Sequence, residues 1–465
     1  MNSFDDLTQC TVNQSRSYRA DSAVSRMLGC LILWLFTLGA FCGCTTHAHR
    51  LANPRHAFFS NDLNRAHTQL SKLIQKPKND ETVIELDLAL VEMLQGNLHS
   101  AEQRMRKIRD QWDHLEKKSL LEETASVVTD DRRRAYAGED YEKLLLRVSL
   151  TLSSLLQDGV DAESYSLQTL DKQRELQNKA EERWGDEVVA ASYCVPPIAP
   201  YMRGILQEAT WNNYAEAAKF YEETSVLLPE HPYVLEDLQR AKTSVHSQPQ
   251  HGVVYVVAMV GRGPYKEEVN AQATQQALLI ADQILSAVSK YSVPPTIAPV
   301  KVPTIVSPPK PFDLIGIDIN GQARTTTLPI TDLHQLAVSS YEAKRTEVIA
   351  RAVARRVIKK GAVYAAKDHF EASSDIASLA MDAAGVLWEA TEAADTRCWG
   401  LLPREIQMVR LELPAGSHLL SLTPITAGKP VAKQQEIQVD VKAGRNTYVL
   451  GYWPGLQPIG ELLIR

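Results

Sequence analysis

Two regimes of hydrophobic patterning divide this chain and predict a mixed fold of the α+β class. From about residue 58 to 245, apolar side chains recur every three or four positions, the period of an amphipathic helix. From residue 253 onward, β-branched runs and alternations appear, interrupted by long helical stretches. Ahead of both stands an apolar run, Leu28 to Cys44, that belongs to neither regime. The expected organisation is a signal peptide at 1–43, a tether at 44–57, an all-helical repeat domain at 58–245, a linker at 246–252, and an α/β domain at 253–465 that ends in β-hairpins.

The first element is LGCLILWLFTLGAFCGC, which stops at Gly43-Cys44 and is followed at once by Thr45, Thr46 and His47. Arg16, Arg19 and Arg26 precede it, with Asp21 the only acid among them. A basic segment, an apolar segment and a small residue before cysteine is the layout of a bacterial lipoprotein signal. Cleavage before Cys44 would leave its thiol and amine to carry lipid, with palmitate as a label of the modification. The mature chain would then be tethered to a membrane on its periplasmic face, in the cell envelope. An uncleaved signal anchor is the other reading, because the run approaches the ~18–20 residues that a spanning helix needs. Gly43 fits a peptidase pocket for small residues, and the run ends without the basic cluster that stops transfer; both favour cleavage. Phe41 departs from the leucine common at that position. Thr45 is not the aspartate that retains lipoproteins in the inner membrane, so the outer membrane is favoured.

The mature chain would have about 420 residues, enough for two or three cores. The net charge of the whole sequence is −6, which gives no general affinity for nucleic acid. Of six cysteines, only Cys194 and Cys398 lie in the body of the chain. An exported protein can join such a pair, but the two fall in different expected domains, so free thiols are favoured.

In the helical half a unit recurs. Asn213-Tyr214-Ala215-Glu216-Ala217 leads into Tyr221, Thr224 and then Leu228-Pro229. Turn, small alanine, aromatic four later, small residue three later, then proline is the second-helix half of a tetratricopeptide repeat. The alanine is small because two helices cross tightly there, and the proline stops the second helix. Weaker copies occur at Gly96–Ala101 with Met105 and Ile108, at Leu63–Ile74, and around Gly138–Glu142. Such pairs cannot bury their apolar faces alone and stack into an extended surface, typically a protein-binding groove. An irregular helical domain with no binding role is the alternative.

In the second half, Val253–Val260 is a buried strand, residues 270–289 an amphipathic helix, and 292–312 an edge strand or extended loop. Ile315, Ile317 and Ile319 alternate before Asn320-Gly321, a hairpin turn. Helices are expected over 337–360 and 374–394. Two hairpins close the chain, one across Pro414–Ser417 and one across Ala443–Asn446.

The order Tyr136…Gly138…Tyr141-Glu142, Tyr193…Pro196-Pro197…Tyr201…Gly204 and Leu228-Pro229 carries a resemblance. So do Ala394-Asp395-Thr396-Arg397-Cys398-Trp399, Leu402-Pro403, Ile406, Arg410 and Leu413–His418. Together they resemble an uncharacterised family of tetratricopeptide-repeat-containing bacterial envelope lipoproteins. The resemblance implies helical repeats followed by an α/β part, and no established activity.

Motifs that would carry chemistry are few. Gly261-Arg262-Gly263-Pro264 follows a strand, but Lys266 stands where a dinucleotide fingerprint has its third glycine, so it reads as a turn. Arg351, Arg355 and Lys359, with Arg356 and Lys360 beside them, form a basic stripe that reads as a solvated face. Its other reading is contact with anionic lipid or cell-wall carboxylates. Asp395 and Arg397 read as a buried ion pair that fixes helix on sheet, in preference to a catalytic pair. His246 and His251 sit in the linker without cysteine or carboxylate partners, and His418 falls on a turn. No metal, cofactor or catalytic residue is expected, and whether the chain is an enzyme stays open, with a non-enzymatic role preferred. The favoured function is a lipid-anchored scaffold or adaptor that binds protein partners in the envelope through a repeat groove. The alternative is an enzyme or carrier acting on cell-wall or lipid material through the C-terminal α/β domain.

Overall fold

A row of helices comes first, and from the second onward each packs on the next. They are α1 (His47–Phe59), α2 (Leu63–Leu73), α3 (Glu81–Leu94), α4 (Leu98–Leu121), α5 (Asp140–Leu155), α6 (Ala162–Trp184), α7 (Ile198–Trp211), α8 (Tyr214–Leu227) and α9 (Pro232–Lys242). The computed structural model describes residues 47–121, 135–185, 193–289, 291–294, 297–370 and 393–465. Cys44 and residues 374–392 of an expected helix lie outside the described residues.

Local chemistry sets the helix ends. Asp62 and Asn213 accept backbone N–H groups of Arg65 and Glu216 as N-caps. Pro232 occupies the first turn of α9, where its missing N–H costs nothing. Helices alternate in burial. In α3 every residue but Glu81 is buried, and in α5 every residue is. In α8 the buried residues are the single stripe Ala217, Tyr221 and Thr224. A helix buried all round needs cover on a second side.

That cover is a sheet. Strand β1 (His251–Arg262) pairs in parallel with β11 (Asn446–Trp453) and antiparallel with β7 (Pro403–Pro414). β12 (Ile459–Ile464) flanks β11, and β6 (Leu328–Asp332) flanks β7, giving the order β12-β11-β1-β7-β6. Alternation along β1 assigns its two faces. Val253, Tyr255, Val257 and Met259 join the core formed with the helices. Val254, Val256, Ala258 and Val260 join a second core, formed with another sheet of order β10-β8-β4-β5. The strands of this sheet are β4 (Leu314–Ile319), β5 (Gln322–Thr326), β8 (Gly416–Thr426) and β10 (Gln435–Val441), with short β9 (Lys429–Pro430) beside β8. The architecture is therefore three layers: helices, sheet, sheet.

A side module carries a third core. β2 (Tyr265–Ala271) and β3 (Val300–Val306) pair antiparallel, and α10 (Gln275–Val288) lies between them in sequence. Ala277, Ala281 and Leu285 of α10 share this core with Ala350, Val353, Ala354 and Val357 of α11 (Leu333–Phe370). Alanines on both helices let the two approach closely.

Several expectations change. Residues 51–57, read as tether, belong to α1, and Leu51 and Phe58 are fully buried. The helical pattern does end near 246–252, yet residues 51–465 form one compact unit whose largest core draws on helices and strands alike. The turns at 414–417 and 443–446 are not hairpins: each carries the chain from one sheet to the other. Both edges of β7 are taken by β1 and β6, and both edges of β11 by β1 and β12, so neither has an edge free for its neighbour in sequence. The Asn320-Gly321 hairpin forms as expected, with both residues at positive φ (51° and 80°).

Candidate functional site

The densest polar chemistry in the described residues is a buried ionic seam at the start of α5, where helices meet strands. It begins with a turn. Gly138 has φ +74° and lies on the indole of Trp112, where a Cβ would come within 2.7 Å. The Trp112 indole N–H donates to the Tyr136 carbonyl at 3.0 Å. The turn therefore delivers Glu139-Asp140-Tyr141-Glu142 to the helix N-terminus, where acidic side chains suit the dipole. Glu139 and Glu142 form a reciprocal capping box.

Each carboxylate then faces a different element. Glu142 is fully buried and accepts from Tyr136 Oη (2.6 Å), the Trp399 backbone N–H (2.7 Å) and the Glu139 backbone N–H (3.1 Å). Burial, then the charge of Glu139, raises its pKa. Asp140 accepts from Tyr193 Oη at 2.6 Å and Lys143 Nζ at 3.0 Å, and pairs with Lys344 of α11. Burial works against its charge, but Lys344 and Lys143 outweigh it and hold the carboxyl far below the ordinary range. Glu139 pairs with Lys266 of β2. Burial opposes ionisation of Glu139 too, and Lys266 and Lys344 reverse it.

The seam continues on both sides. Lys143 reaches Glu116 at 2.6 Å, and Lys172 reaches the same carboxylate at 2.9 Å. Burial opposes the Glu116 charge; the two lysines bring its pKa down to about 2. On the other side Arg397 holds Asp395 through two bonds of 2.9 and 2.7 Å, donates to the Asn79 carbonyl at 2.9 Å, and lies 5.3 Å from the centre of the Tyr136 ring. Arg55 donates to Asp87 at 2.9 Å and to the Cys398 carbonyl at 3.0 Å.

A second, smaller cluster joins α7 and α9 to the same sheet. Asp237 accepts from Tyr201 Oη (2.6 Å) and Arg240 Nη2 (2.8 Å), with Arg410 Nε of β7 at 3.9 Å. Glu208 accepts from Tyr221 Oη at 2.9 Å and also pairs with Arg240. Chemically, both clusters clamp helices to strands. Where α3 and α5 meet β1 and β7 there is a small, mostly apolar void of about 10 Å³, lined by Leu90, Leu145, Met259 and Ile406 among others.

The structure places each sequence-predicted residue. Asp395 and Arg397 form the expected pair, and it ties the β part to the turn between α2 and α3 through Asn79. Cys194 and Cys398 are free and buried, their thiols pushed up by burial to about 12 and 11. Gly261–Pro264 turns the chain from β1 into β2, with Gly263 N–H donating to the Leu402 carbonyl at 2.7 Å. His246 bonds Asn446 (2.8 Å), while His251 and His418 bond the carbonyls of Pro249 (3.0 Å) and Pro414 (2.9 Å). Among the described residues no group of three or more His, Cys, Asp or Glu is placed to hold a metal. On α11, Arg351 lies 3.6 Å from Glu347, and Arg356 donates to the carbonyls of Ala298 (2.9 Å) and Pro299 (2.7 Å). Patterning alone does not single out Lys266, Lys344, Asp140 or Arg55; the run Glu139-Asp140-Tyr141-Glu142 at a helix start is the available signal.

No family model, curated protein or solved structure matches this chain.

Proposed function

We propose that the chain is a lipid-anchored scaffold or adaptor of the cell envelope, acylated on Cys44, that binds a protein partner through its helical layer. The observation behind this reading is the crossing of α7 and α8. Gly204 lies against the Tyr221 ring, where a Cβ would come within 2.7 Å, and Ala217 and Thr224 are fully buried. Small–aromatic–small spacing at a tight crossing is what a tetratricopeptide-type pair requires, and stacked pairs of this kind serve as binding surfaces. The inner helices α3 and α5 pack on the chain's own sheet, so the groove such arrays normally offer is filled from within. The partner surface therefore falls on the outer row, where Leu167 of α6 and Val226 of α8 are 45% and 76% exposed, and Val160 before α6 is 76% exposed.

Two measurements test the reading. Cys44→Ser should abolish palmitate labelling of the protein in cells; persistent labelling removes the anchor. Leu167→Glu and Val226→Glu, at unchanged melting temperature, should lose envelope proteins that co-purify with the wild type. An unchanged set of co-purifying proteins removes the scaffold role of this face.

A further inference from the structure

The folded body begins very close to Cys44. Leu51 is fully buried. One turn later Arg55 is locked between Asp87 of α3 and the Cys398 carbonyl, over Gly400, whose lack of a side chain makes room for the guanidinium. Phe58 packs against the Tyr452 ring at 5.8 Å between centroids. α1 is thus part of the core from Leu51 onward. Six residues, 45–50, separate Cys44 from Leu51. Whatever their conformation, the seven Cα–Cα steps of that leash span no more than roughly 25 Å.

Next to the Arg55 clamp lies the turn between α2 and α3. Arg397 precedes Cys398 in the chain, and it holds the Asn79 carbonyl of that turn. The segment from Lys72 to Asn79 carries exposed Lys72, Lys76 and Lys78 and no acid. The next acids along the chain are buried Asp80 and exposed Glu81. Lysines at a membrane surface are drawn to anionic headgroups, and a short leash keeps their local concentration at that surface high.

We propose that, once Cys44 is acylated, the body rests directly on the bilayer with Lys72 and Lys78 against anionic headgroups. This rests on the anchor proposed above. A body held so closely meets only partners that lie on the same membrane or extend down to it.

To test the contact apart from the anchor, the chain from Cys44 to Arg465 is coupled through Cys44 to a maleimide phospholipid in vesicles. Cys194 and Cys398 are buried, so Cys44 is the thiol that reacts. Acetylation of lysines by a water-soluble reagent is then followed by mass spectrometry. On vesicles containing phosphatidylglycerol, Lys72 and Lys78 should react several-fold more slowly than in free protein. A flexible insert of about 20 glycine and serine residues between Thr46 and His47 should restore the free rate. Equal rates on and off the vesicle overturn the proposal. Rates that do not change between phosphatidylcholine and phosphatidylglycerol vesicles overturn the headgroup contact. Failure of palmitate labelling in cells would instead remove the anchor and leave this result standing.

Discussion

Asp140 gathers three cation or hydroxyl partners from three directions: Lys143 one turn along, Lys344 on α11, and Tyr193. Replacing it with Asn keeps the oxygen that Tyr193 needs but leaves two lysines facing a neutral amide. Lys143 is the more buried of the two and retains Glu116. The expected loss of stability at pH 7 is about 3 kcal/mol, the lower end for breaking a buried pair. The sign with pH comes from the depressed carboxyl. Its stabilisation is present above the unfolded pKa of 3.8 and is lost as pH falls below it towards the folded value. The gap between wild type and Asp140→Asn in urea midpoint should therefore be full at pH 7 and pH 5 and shrink by pH 3. A gap that grows on acidification would show that the carboxylate does not stabilise the fold. At this scale the sequence reveals the Asp395–Arg397 pair, because its partners stand two residues apart and fit one local conformation. It does not reveal Lys266 with Glu139 or Lys344 with Asp140, whose partners are 127 and 204 residues distant. Only tertiary packing brings such charges together, and a single sequence holds no local trace of it.

Helices are the elements most legible in the sequence, since a 3.6-residue period needs no knowledge of the neighbour. The crossing of α7 on α8 shows how far such reading extends. The small residue at Ala217 and the aromatic at Tyr221 are legible from spacing, and both are fully buried at the crossing. Ala217→Leu should cost about 1–3 kcal/mol through overpacking. Gly204→Ala should also destabilise, because its Cβ would press on the Tyr221 ring and disturb the bond from Tyr221 Oη to Glu208. Chemical denaturation measures both, and a neutral Gly204→Ala would mean that the ring relaxes freely. Strand pairing is less legible. Alternation marks β7, β8, β10 and β11 as strands but does not say which edge meets which. A short turn suggests a hairpin, yet the turns after β7 and β10 cross between sheets because the edges of β7 and β11 are already paired.

On the scale of the whole molecule, the central sheet decides whether the chain has one cooperative unit or two. The switch of pattern at 246–252 suggests a boundary with a folded piece on each side. The inner faces of α3 and α5 and the odd-numbered side chains of β1 instead complete one another's burial. Separating residues 47–245 from 251–465 would expose Tyr255, Met259, Met408 and Tyr452 on one piece and the buried length of α3 and α5 on the other. It would also leave Glu142 without the Trp399 N–H, Glu139 without Lys266, and Asp237 without Arg410. Exposed apolar faces of this extent associate or unfold, and unpaired buried charges add to the loss. Each fragment expressed alone should therefore aggregate or lack cooperative unfolding, whereas the two expressed together should combine into a soluble complex. The intact body should unfold in one transition, with tryptophan fluorescence and helical circular dichroism coinciding. Residues 47–245 melting cooperatively by themselves would show instead that the helical layer is self-sufficient. It would also reopen the possibility that the layer parts from the sheet and offers its inner face to a partner.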